Sequence, residues 1–143
     1  MPPLTDTRSP IAAVPRTQWA QITPLLDLGV RARGVMSCVR EIASLPAGWD
    51  GHGSPPLCEP AKAVAARLVS GTDLESLPTP HVSPVSGGGV QFEWRVGPRE
   101  LEIEVLPDGS IEYLAVLDGT QMVEGTLDEG AAPGALFRWL MQC

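Results

Sequence analysis

From Gly87 to Leu127 apolar and polar residues alternate almost without interruption. Val90, Phe92, Trp94 and Val96 are separated by Gln91, Glu93 and Arg95, and Leu101, Ile103 and Val105 by Glu102 and Glu104. Ile111, Tyr113, Ala115 and Leu117 continue in the same phase. A period of two places one set of side chains on one face of a strand, so the stretch predicts an antiparallel β-meander with a single buried face. Turn chemistry fixes the registers. A two-residue loop at Gly97-Pro98 sets Trp94 against Leu101 and Phe92 against Ile103. A three-residue loop, Pro107-Asp108-Gly109, sets Val105 against Ile111 and Ile103 against Tyr113, with the glycine in the left-handed position. Asp118-Gly119 signals a third hairpin into Met122–Leu127. There the alternation blurs: Leu114, Val116 and Val123 fall on the nominally polar side, which implies partial cover by the last helix, the N-terminal arm or another chain.

The flanking segments carry helical spacing. Thr23-Pro24 reads as an N-cap and first helical position, followed by an apolar face of Leu25, Leu28, Ala32, Val35, Val39 and Ile42. Gly29 and Gly34 each cost about 1 kcal/mol against alanine in a helix interior, and a break is expected near Gly29. Leu45-Pro46 ends the helix, because the residue before proline is pushed out of the α region. Ser54 or Cys58 caps a second helix with Pro60 in its first turn and a stripe of Ala61, Val64, Ala65, Leu68 and Val69 that Gly71 closes. Thr72–Pro84 is a proline-bearing linker in which Val82 adds a short edge strand. Leu136, Trp139 and Leu140 mark a terminal helix within Ala131–Gln142, preceded by acidic residues that suit its dipole. Residues 1–16 hold four prolines and no period, a flexible N-terminal arm ahead of one domain over residues 17–143, with Trp19 and Ile22 tacking it down. The fold class is α+β: a four- to five-stranded antiparallel β-meander packed against two or three helices.

Composition narrows the setting. A hydrophobic fraction of 43% with 19% charged residues excludes wholesale disorder, and 143 residues suffice for one core without staples. Three cysteines, Cys38, Cys58 and Cys143, are widely separated with no C-x-x-C pair, which argues against a disulfide framework or a zinc cluster. The apolar run Ile11–Val14 is too short for a signal-peptide core and no segment reaches membrane-spanning length, so a cytoplasmic location is expected. The net charge of −7 is unevenly spread, with +2 over residues 1–46 and −9 over the remainder. Acidic sheets repel phosphate backbones, so nucleic-acid binding is disfavoured. Its one route would be Arg31, Arg33 and Arg40 on the first helix, whose simpler reading is a solvated face.

Two clusters carry candidate chemistry. In the loop Gly48-Trp49-Asp50-Gly51-His52-Gly53, Trp49 is expected to plug the helix layer against the sheet while Asp50 ties off an Asx-turn. The competing reading pairs Asp50 with His52 as a general-base dyad or two metal ligands, making the chain a small hydrolase or metal-dependent enzyme. No nucleophile motif accompanies the pair, and neither cofactor nor metal set is indicated. The second cluster is the polar sheet face: Glu93, Glu102, Glu104 and Glu112, with Glu93 opposite Glu102 and Glu104 opposite Glu112. Like charges directly across strands are mildly destabilising. They form either a solvated face relieved by Arg95 and Arg99, or a docking surface for a basic partner, with Trp139 as a candidate interface anchor.

The strings LPAGWDGHGSPP, GGVQFEW, LEIEV and LPDGSIEYL, with the alanine-rich helix between the first two, resemble a group of small bacterial proteins of unassigned function that share a GWDG-type loop before a W/LEIE/PDG β-meander. The resemblance covers Leu45 to Leu117. It implies a cytoplasmic bacterial accessory protein and carries over no catalytic residues. The expected function is therefore a non-enzymatic protein-interaction module, an acidic accessory, antitoxin-like or immunity-like partner of another protein encoded nearby, with homodimerisation through the last hairpin as a further expectation.

Overall fold

Two of the three hairpin registers are those that the alternation and turn residues dictate. The computed structural model describes residues 29–128 and 133–142. In chain order these form α1 (Val30–Ala43), α2 (Glu59–Ser70), a 3-10 turn (Leu74–Ser76), β1 (His81–Val85), β2 (Gly89–Val96), β3 (Arg99–Val105), β4 (Ile111–Leu117), β5 (Gln121–Leu127) and α3 (Gly134–Leu140). The five strands make one antiparallel meander in sequential order, an α+β fold. Trp94 lies opposite Leu101 and Phe92 opposite Ile103, while Val105 meets Ile111 and Ile103 meets Tyr113. Gly109 takes φ +90°, the left-handed conformation its turn requires.

The third hairpin departs from expectation. Asp118 (φ +56°) and Gly119 (φ +72°) form the turn, and Thr120 lengthens the connection so that Leu117 opposes Gln121. Val123 therefore pairs with Ala115 on the helix-facing side, not the polar side, and Met122 takes its place on the polar face beside Val116. One added loop residue switches every side chain of a strand between faces.

All three helices lie on the apolar face of the sheet. Ala32, Val35, Met36, Val39 and Ile42 of α1 and Ala61, Ala65, Leu68 and Val69 of α2 are buried with Val90, Phe92, Trp94, Leu101, Ile103 and Val105 in one cluster. Trp94, 2% exposed, anchors it. Its ring stacks at 6.2 Å on Phe92 and meets Phe137 of α3 edge-on at 5.0 Å, geometry that adds about 0.5–1.5 kcal/mol per pair beyond area burial. Phe137 and Leu140 are the buried residues of α3, while Leu136 and Trp139 are half-buried against the core.

The described start of α1 is held from afar. Gly29 occupies its N-cap position, and Glu75 Oε1 accepts the Arg31 backbone N–H at 2.8 Å. The Arg31 guanidinium in return donates to the carbonyls of Leu74, at the start of the 3-10 turn, and Leu77, just past it. A Cβ on Gly29 would lie 2.0 Å from that glutamate oxygen, so a side chain there would push the Glu75 carboxylate off the Arg31 N–H. The proposed Thr23-Pro24 start, Leu25, Leu28, the arm over 1–16 and the acidic lead-in at Glu129 lie outside the described residues. Cys58 holds the N-cap position of α2, but neither it nor Ser54 makes a side-chain cap bond to the helix. The edge strand around Val82 is present, with Pro84 opposite Val90.

Candidate docking face

The registers assemble the polar face row by row. The central row runs His81, Glu93, Glu102, Leu114, Glu124 across the five strands. On one side of it lies Ser83, Gln91, Glu104, Glu112, Thr126, and on the other Arg95, Glu100, Val116, Met122. All four predicted glutamates, Glu93, Glu102, Glu104 and Glu112, therefore share one face, and the structure adds Glu100 and Glu124 to them. Glu100 was legible in the β3 alternation, being in phase with Glu102 and Glu104. Glu124 was hidden by the extra residue in the third loop.

Among the described residues, six carboxylates and one arginine lie on this face. Arg95 pairs with Glu100, and Gln91 Nε2 donates to Glu102 Oε1 at 3.4 Å. Arg99 does not relieve the repulsion: it opposes Val96 and Leu117 on the other face. There it lies 5.7 Å from the centroid of the Trp139 ring and donates to the Gln142 carbonyl at 2.8 Å. Trp139 is therefore on the helix side of the sheet, apart from the glutamates. At the centre of the acidic face, partial burial first, then the charges of Glu93, Glu100 and Glu104, push the Glu102 carboxyl above its ordinary range. A cation or basic group brought to this face meets carboxylates that outnumber the basic side chains of the described strands there.

The Asp50 loop has a different construction. Asp50 Oδ1 accepts the backbone N–H groups of His52 (2.9 Å) and Ser54 (3.2 Å). Its Oδ2 accepts the hydroxyls of Ser54 and, at 2.8 Å, Ser86. Four donors converge on one carboxylate, and these hydrogen bonds, that of the Ser54 hydroxyl foremost, hold it far below the usual carboxylate range. The Ser86 bond ties the loop to the β1–β2 turn, so Asp50 closes the Asx-turn and staples two distant loops. Asp50 takes the His52 backbone N–H, and the His52 side chain is exposed. Trp49 is half-buried and stands outside the core cluster, so it does not plug the helix layer against the sheet. The glycines at 48, 51 and 53 free the chain to turn around Asp50, each with positive φ.

Among the described residues no group of three or more His, Cys, Asp or Glu side chains has metal-binding geometry, and no helix is long and apolar enough to cross a membrane. Cys38 and Cys58 are free thiols. No protein-family model, curated protein or solved structure matches the chain.

Proposed function

We propose that the chain is a non-enzymatic interaction module whose polar sheet face docks a basic surface of another protein. The observation that carries this reading is the gathering of Glu93, Glu100, Glu102, Glu104, Glu112 and Glu124 on one face where, among the described residues, Arg95 is the only arginine in the strand positions. A face that only had to be soluble would interleave the two signs and avoid directly opposed glutamates, which weaken a sheet. Retained repulsion is instead what complementary association exploits: opposite charge on a partner relieves it and accelerates encounter. The resemblance of the GWDG-type loop and the W/LEIE/PDG meander to small bacterial proteins supports a cytoplasmic accessory, antitoxin-like or immunity-like role, with the partner encoded nearby.

The test is a pull-down of the tagged chain from its native host, run beside the Glu102→Lys/Glu104→Lys variant. The expected result is one stoichiometric protein that the native chain retains, that elutes as salt is raised and that the variant loses while keeping its helix and sheet content. Equal retention by both chains, or recovery of the native chain alone, would overturn the reading.

A further inference from the structure

The two edges of the sheet are treated differently. β1 is short, carries Pro84, and is packed by α1. Proline, brevity and cover are the devices by which proteins protect an edge from pairing with another chain. β5 has neither proline nor brevity, and no described helix is packed on it as α1 is on β1. Its seven residues, Gln121–Leu127, contain no proline, lysine or arginine, and its ladder to β4 is regular over the whole length. Among the described residues it has a neighbour on one side only. Met122 is 65% exposed and Val123 62% exposed, one on each face of the strand.

We infer that β5 accepts an extended segment of a basic partner protein as a sixth strand, with Lys or Arg on the polar face and apolar residues on the helix-facing side. This inference rests on the docking-face reading and specifies its geometry. The alternation is set by what β5 presents. On the polar side an incoming strand lies beside Met122, Glu124 and Thr126, with Glu112 one strand further in; on the other side it lies beside Gln121, Val123 and Leu127. Basic residues at every second position answer Glu124 and Glu112, and the intervening positions cover Val123 and Leu127. Strand addition of this kind draws affinity from main-chain hydrogen bonds and specificity from alternate side chains. Two-fold antiparallel pairing of a second copy about Glu124 would set that residue against itself, whereas a basic strand answers it at that position.

The experiment titrates the isotope-labelled full chain with a blocked seven-residue peptide alternating Lys and Val. A control peptide of the same composition has its lysines and valines in separate blocks. The expected result is shifted resonances and slowed hydrogen exchange at the amides of residues 121–127, with the alternating peptide binding about tenfold more tightly than the block peptide. Glu124→Lys, or Thr126→Lys should the first variant fold poorly, should weaken it by about the same factor. Shifts confined to Glu93, Glu102 and Glu104, or equal binding of the two peptides, would overturn strand addition while leaving the acidic docking face in place. Saturable binding by neither peptide would overturn strand addition and count against the docking face as well. A dimer by light scattering with residues 121–127 already protected would assign the edge to a second copy and overturn the proposal.

Discussion

Asp50 shows how one residue organises a loop that the sequence marks as distinctive. Its carboxylate collects two N–H groups and two hydroxyls from residues as distant as Ser86. A carboxylate whose folded pKa is depressed stabilises the native state above its unfolded value, near 3.9, and that contribution is lost as pH falls towards the folded value. Asp50→Asn should therefore lower the urea midpoint at pH 6, and the gap to the native chain should narrow by pH 2.5; a constant gap across that range would contradict the account. Glu102 has the opposite sign. Its folded pKa is raised, so the native state favours its proton, and stability is lost as pH rises through the folded value. Glu102→Gln is expected to stabilise the chain at pH 7 by a few tenths of a kcal/mol, small because water screens a partly exposed carboxylate. As pH falls through the ordinary glutamate range, where the carboxyl takes up its proton, the gain should vanish. Thermal melts at pH 7 and below that range check it.

At the scale of elements, β2, β3 and β4 were legible because two independent signals agreed: strict alternation and turns with glycine at the required position. β5 was legible as a strand but not in register, since nothing local distinguishes a two-residue Asp118-Gly119 loop from one lengthened by Thr120. The described start of α1 was partly legible through Gly29, yet the Glu75 and Arg31 exchange that fixes it spans 44 residues in sequence and leaves no local pattern. Trp49 was misplaced because a large apolar residue in a glycine loop signals burial without naming its neighbours. Core placement was more secure, and it carries the stability. Trp94→Ala, which removes the ring between Phe92 and Phe137, should cost about 3–5 kcal/mol in denaturant unfolding. Gly34 sits inside α1 on its exposed side with nothing within 4 Å of where a Cβ would lie. Gly34→Ala should add about 0.5–1 kcal/mol by the same measurement.

Across the whole molecule the charges are sorted by face. The helices cover the apolar side of the sheet, and the negative charge of the strands accumulates on the other, where Arg95 and Glu100 make an ion pair. That sorting was half visible in the sequence as a charge of −9 beyond residue 46, but only the registers show that six glutamates share one surface. The alternative centre, Asp50 with His52, is built otherwise: the carboxylate's hydrogen bonds go to its own loop and to Ser86, and the histidine side chain is exposed.

The most direct test compares two variants with the same change in net charge. Glu102→Lys/Glu104→Lys reverses the polar face, and Glu41→Lys/Glu59→Lys reverses two exposed helical residues on the other side of the molecule. Retention of the stoichiometric partner should be lost with the first and kept with the second. Equal loss with both would reduce the effect to net charge, and retention by the face variant would contradict the claim that this surface binds.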